Sequence, residues 1–109
     1  MPTFKEISIS DLKSALSKGV DLNILDIRTL DQRSEGFMVG SQHLSVYERL
    51  KAGDVHSFEN LKLSKTTPIV VYCGGGELSK FAATLLHENG FDAYSLSGGY
   101  KAWLNDQNL

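Results

Sequence analysis

Cysteine occurs once in this sequence, at position 73, and three glycines follow it directly. Ahead of it stands Ile69-Val70-Val71-Tyr72, a run with strong strand character. Behind it, Leu78, Phe81, Ala82, Leu85 and Leu86 fall at i, i+3, i+4, i+7 and i+8, one apolar face of a helix. A thiol at the carboxyl end of a strand, then a glycine loop, then a helix N-terminus brings unpaired backbone N–H groups and a helix dipole to one point. Both favour negative charge there. The same setting favours the thiolate, the nucleophilic form of cysteine. Cys73 is therefore the candidate catalytic nucleophile. Gly74, Gly75, Gly76, Glu77, Leu78 and Ser79 form the candidate substrate-binding loop.

Each part has a plainer meaning alone. A free cysteine is among the most buried residue types, and consecutive glycines can be a simple turn. Their order, strand then thiol then glycines then helix, is what favours chemistry. Residues 74–79 lack the last glycine of a G-x-G-x-x-G dinucleotide loop. One cysteine cannot make an internal disulfide. His43, His56 and His87 lie far from Cys73 and from one another, so they read as structural or surface residues. No metal and no other cofactor is expected.

The elements that must position this loop alternate between strand and helix, which predicts an α/β domain with a mainly parallel sheet. Residues 4–9 suit a short edge strand. Ser10 suits an N-cap for a helix turning Leu12, Ala15 and Leu16 inward and stopped by Gly19. Residues 22–27 form a second strand. Thr29 with Gln32, and Ser45 with Glu48, suit capping boxes of two further helices, the second running through Leu50. Residues 51–67 are polar, with a short helix predicted around 58–61. Pro68 opens the central strand over 69–73, apolar on both faces as a buried parallel strand should be. A helix over 77–89 follows, with Glu77 in its first turn and Gly90 as its stop. Residues 92–96 form another strand, Gly98-Gly99 a turn, and residues 100–105 a last helix. Tyr72, next to the nucleophile on a strand, should face away from it into packing.

Composition narrows the classes. The chain has 109 residues, 41% hydrophobic and 22% charged, as expected of one ordinary globular domain over 1–109. The net charge of −2 and the absence of a Lys/Arg run exclude a duplex-neutralising surface, so no nucleic acid partner is expected. No apolar run approaches the ~20 residues of a membrane helix. No membrane association is expected, the start shows no signal-peptide pattern, and the expected compartment is the cytoplasm.

Four segments together resemble the rhodanese homology domain in its small form. Asp26-Ile27-Arg28 is similar to the family's Asp-x-Arg at an early strand end. Residues 36–41, Gly-Phe-Met-Val-Gly-Ser, occupy the place of Gly-His-Ile-Pro-Gly-Ala and keep both glycines. Residues 73–79 are similar to the active-site loop Cys-x-x-Gly-x-Arg-Ser. Residues 98–103 match the closing Gly-Gly-x-x-x-Trp. The resemblance spans nearly the whole chain. It implies a five-stranded parallel sheet flanked by helices on both faces. It also implies a sulfurtransferase whose cysteine, here Cys73, carries sulfane sulfur as a persulfide, with loop amides holding the negative charge. The implied partners are a small-molecule sulfur donor of thiosulfate or persulfide type and a thiophilic acceptor, protein persulfides included.

The loop departs from the pattern where charge matters. Leu78 stands in place of the usual arginine, beside the acidic Glu77, and Lys80 is the first basic residue after Cys73. Glu77 should oppose a dianionic donor such as thiosulfate, so a neutral or monoanionic persulfide should be used better. The alternative reading is a non-catalytic rhodanese-like module that binds a partner or senses redox state. A cysteine phosphatase would need an arginine at position 79, which is serine. Asp26 and Arg28 read as a scaffold ion pair, with Glu35 a further partner. Trp103 reads as core, and the Ser79 hydroxyl as either a contact to bound sulfur or a helix cap.

Overall fold

The computed structural model describes residues 4–107. Five parallel strands, β1 (Lys5–Ile7), β2 (Asn23–Asp26), β3 (Gln42–His43), β4 (Ile69–Tyr72) and β5 (Ala93–Leu96), pair in the order β1-β5-β4-β2-β3. Between and after them run α1 (Ile9–Ser17), α2 (Leu30–Glu35), α3 (Tyr47–Lys51), α4 (Leu78–Glu88) and α5 (Gly99–Gln107). The central strand β4 is buried on both faces because its residues alternate between two cores. Ile69, Val71 and Cys73 join Leu50 of α3 and Ala82, Leu85 and Leu86 of α4. Val70 and Tyr72 join Leu12 of α1, with Tyr100 and Trp103 of α5 packed against them. Helices thus cover both faces of a five-stranded parallel sheet, as expected.

Several boundaries differ from the sequence pattern, each for a local reason. Ser8, not Ser10, caps α1, because β1 ends at Ile7 and the helix starts at once. The Asp11 N–H donates to Ser8 Oγ at 3.0 Å. That phase buries Leu12 and leaves Leu16 exposed at the rim. The Thr29–Gln32 capping box forms, but Ser45 caps nothing. Helix α3 begins after Val46, whose N–H turns back to the Leu44 carbonyl. Residues 55–60 make turns rather than a helix, which suffice to bury Phe58. Strand β3 is two polar residues long and has no strand pattern of its own. It exists because Gln42 and His43 pair with Leu25 and Asp26 of β2.

Candidate active site

Strands β2 and β4 are neighbours whose chains leave in opposite directions, β2 toward β3 and β4 toward β5. The carboxyl ends at such a switch point flank a crevice where open α/β sheets bind ligands. Cys73 lies there, directly after β4 and 4% exposed. The chain behind it curls so that two backbone N–H groups point back at the thiol. Gly76 N lies 3.2 Å from Cys73 Sγ and Ser79 N lies 3.3 Å from it. Gly76 makes this curl with φ +95°, and a Cβ there would lie 2.9 Å from Gly98 N.

The start of α5 clamps the loop from behind. Tyr100 N–H donates to the Cys73 carbonyl at 2.8 Å, and Lys101 N–H to the Gly74 carbonyl at 3.0 Å. Gly99, at φ +63°, passes so close that a Cβ would lie 2.6 Å from the Cys73 carbonyl oxygen. This explains why the glycine loop and the distant Gly98-Gly99 turn occur in one sequence: they are two sides of one contact. Beneath them, Arg28 grips Asp26 with Nε and Nη2 at 2.9 and 2.8 Å and donates to the Gly36 carbonyl at 2.7 Å. Its guanidinium lies 4.1 Å from the centre of the Tyr100 ring. The second partner of Asp26 is Arg33, at 3.1 Å, rather than the expected Glu35 contact to Arg28. Burial alone would push the Asp26 carboxyl up. Hydrogen bonds and charge from Arg28 outweigh it and hold the carboxyl below its ordinary value.

Tyr72 faces away from Cys73, as expected. Its hydroxyl accepts from Met38 N–H at 3.2 Å and meets Ser41 Oγ at 3.2 Å. Burial pushes this phenol above its ordinary value. Ser79 is placed differently from either expectation. Its hydroxyl donates to the Gly76 carbonyl at 3.2 Å and meets Ser95 Oγ at 2.7 Å, while its backbone N–H is what faces the sulfur. Glu77 lies one residue before α4 rather than in its first turn, and caps nothing. Its side chain is 88% exposed with Lys80 Nζ 3.3 Å away. Water and that lysine screen its charge, which weakens the repulsion expected toward a dianionic donor. Trp103 is half-buried against the α1–α5 core.

Cys73 opens into a cavity of about 410 Å³, lined by the loop residues Gly74, Gly75, Glu77 and Leu78 and by Phe81 of α4. Gln32 of α2 and Tyr47 and Lys51 of α3 complete it. The last three were not singled out from sequence. Tyr47 and Lys51 stand at i and i+4, on one helix face, and that spacing was the available signal. Phe81 continues the apolar face of α4, which runs out of the core into the cavity wall. Among the described residues, no His, Cys, Asp and Glu cluster could hold a metal ion, and no helix is long and apolar enough to cross a membrane.

A parallel α/β domain that aims two backbone N–H groups at a lone thiol, at a sheet switch point, defines a class of cysteine-loop proteins. Residues 8–106 match the sequence profile of the Rhodanese-like domain. The chain is 37% identical over 101 residues to thiosulfate sulfurtransferase GlpE of Pseudoalteromonas translucida, covering 92% of this chain and 89% of that protein. It is 34% identical over 104 residues to thiosulfate sulfurtransferase GlpE of Shewanella oneidensis, covering 94% and 95%. The crystal structure of a rhodanese-like domain protein from Staphylococcus aureus is similar with a TM-score of 0.77 at 26% identity, covering 92% and 91% of the two chains. The chain belongs to the rhodanese-like domain family.

Proposed function

We propose that this chain is a rhodanese-type sulfurtransferase in which Cys73 carries the transferred sulfur. The observation that carries the reading is the pair of N–H groups, from Gly76 and Ser79, within 3.3 Å of Cys73 Sγ. They stabilise the thiolate before transfer, and the loop amides stabilise the outer persulfide sulfur after it. With thiosulfate, the thiolate attacks the sulfane sulfur. The Sγ–S bond forms, the donor's S–S bond breaks, and its electron pair leaves with sulfite. With a persulfide donor, a thiolate leaves instead. A thiophile such as cyanide then attacks the outer sulfur of the Cys73 persulfide, which releases thiocyanate and restores the thiolate. The cycle is ping-pong, consumes no metal or redox cofactor, and uses one domain over residues 1–109. The names of the relatives at 34% and 37% identity support the reaction class. A cysteine that must stay a free thiol between turnovers belongs in a reducing compartment, the cytoplasm.

Intact-mass measurement tests the reading. Protein incubated with thiosulfate or an organic persulfide should gain one sulfur atom at Cys73 and lose it to cyanide. Cys73→Ser should gain none. A Cys73→Ser variant that transfers sulfur as well as the wild type overturns the mechanism. A wild type that never takes up sulfur leaves the binding or redox-sensing module as the reading.

A further inference from the structure

The two N–H groups that face Cys73 are used on the sulfur itself. The rest of a donor, which carries its anionic group, must extend into the cavity. The loop over 74–79 offers that group no basic side chain. Lys80 is turned toward Glu77 and the Phe4 ring and does not line the cavity. On α3, Arg49 is held by Asp54 Oδ2 at 2.8 Å and by the His56 carbonyl at 2.9 Å. Lys51 differs from all of these. It lines the same cavity as Cys73, and among the described residues it makes no ion pair. The only other charged residue in the lining is Glu77, which is exposed and paired.

We propose that Lys51 is the specificity-determining residue that selects anionic sulfur donors at Cys73. Its position follows from the fold. Leu50 is buried in the α3–α4 core and fixes the rotation of the short helix. That rotation turns the next residue, Lys51, and its i−4 neighbour Tyr47 to the cavity. The positive charge thus comes from α3 across the crevice, not from the loop that carries the nucleophile. Donors whose distal group is sulfonate or carboxylate gain a charged partner there, while donors with a neutral distal group gain none. A volume of about 410 Å³ is in the range that accepts organic ligands, so a carboxylate-bearing organic persulfide fits as well as an inorganic anion. The inference rests on the sulfurtransferase reading only for the identity of the anion.

Alkylation of the single cysteine tests the charge without requiring sulfur transfer. Iodoacetate is anionic and iodoacetamide neutral, and Cys73 is the only thiol either can modify. The ratio of their rate constants should fall roughly two- to fivefold in Lys51→Gln, the size of an exposed charge pair, and hold in Lys51→Arg. Added salt should bring the wild type down to the Lys51→Gln ratio. Lys18→Gln removes the same charge from the far end of α1 and should leave the ratio where it was. In sulfur transfer, Lys51→Gln should raise KM for thiosulfate and for mercaptopropionate persulfide with little change in kcat. KM for mercaptoethanol persulfide, whose distal group is an uncharged hydroxyl, should hold. An alkylation ratio equal in wild type and Lys51→Gln, or lowered as much by Lys18→Gln, overturns the proposal. A ratio that responds in a protein that takes up no sulfur overturns the sulfurtransferase reading and leaves the charge assignment standing.

Discussion

Asp26 has no exposed surface, and its carboxylate stays ionised because Arg28 and Arg33 surround it. Through Arg28 and the Tyr100 ring it supports the first turn of α5, which in turn holds the Cys73 loop. Asp26→Asn keeps the shape and removes the charge, leaving Arg28 buried without its counter-ion. It should cost about 3–5 kcal/mol of stability. The folded chain holds the Asp26 carboxyl below its ordinary value, so the unfolded chain binds the proton more readily. That contribution is therefore present above the unfolded-state value, about 3.9, and is lost as pH falls through the folded-state value. Urea midpoints measured down through the acid range should fall more steeply for the wild type than for Asp26→Asn. Parallel slopes would show that Asp26 does not set the acid limit.

At the scale of elements, the site is a contact between the β4–α4 loop and the start of α5, and glycine makes it possible. An alanine at 99 would put Cβ 2.6 Å from the Cys73 carbonyl oxygen and 2.8 Å from both the Gly74 oxygen and the Gly76 nitrogen, at φ +63°. The loop or the helix must then move. Gly99→Ala should cost about 2–4 kcal/mol and slow sulfur uptake at Cys73 at least about tenfold. Gly19→Ala is the comparison: it shares a positive φ, +74°, but meets nothing within 4 Å. It should cost about 1 kcal/mol and leave sulfur uptake intact. Chemical denaturation and intact-mass time courses on both variants separate backbone strain from the clash.

For the whole molecule, one strand serves two cores. Val70 and Tyr72 belong to the α1–α5 side, Ile69, Val71 and Cys73 to the α3–α4 side. Neither face can lose β4 without exposing the other, so unfolding should be a single cooperative event. Two unique probes report the two faces: Trp103 against the α1–α5 core and Cys73 in the α3–α4 core. Trp103 fluorescence and Cys73 accessibility should give the same urea midpoint, coincident with far-ultraviolet circular dichroism. Separate midpoints would mean that the faces unfold independently.

The sequence by itself determined the α/β class, the central strand, the apolar face of α4 and the place of Cys73 at a strand end. Those depend on local periodicity and on residue types with few uses, such as the lone cysteine among glycines. The Thr29–Gln32 cap was legible for the same reason, since both partners lie within one turn. Tertiary structure decided the rest. Strand β3 is two polar residues that exist only as a neighbour of β2. Arg33 joined Asp26, in place of the expected Glu35 contact to Arg28, because pairing across a buried site depends on where side chains reach, not on sequence spacing alone. The cavity wall came from α2 and α3, far in sequence from Cys73, and it brought Lys51 to a loop without a cation of its own. Charge complementarity acts through space, and only the packed sheet and helices set which charges share that space.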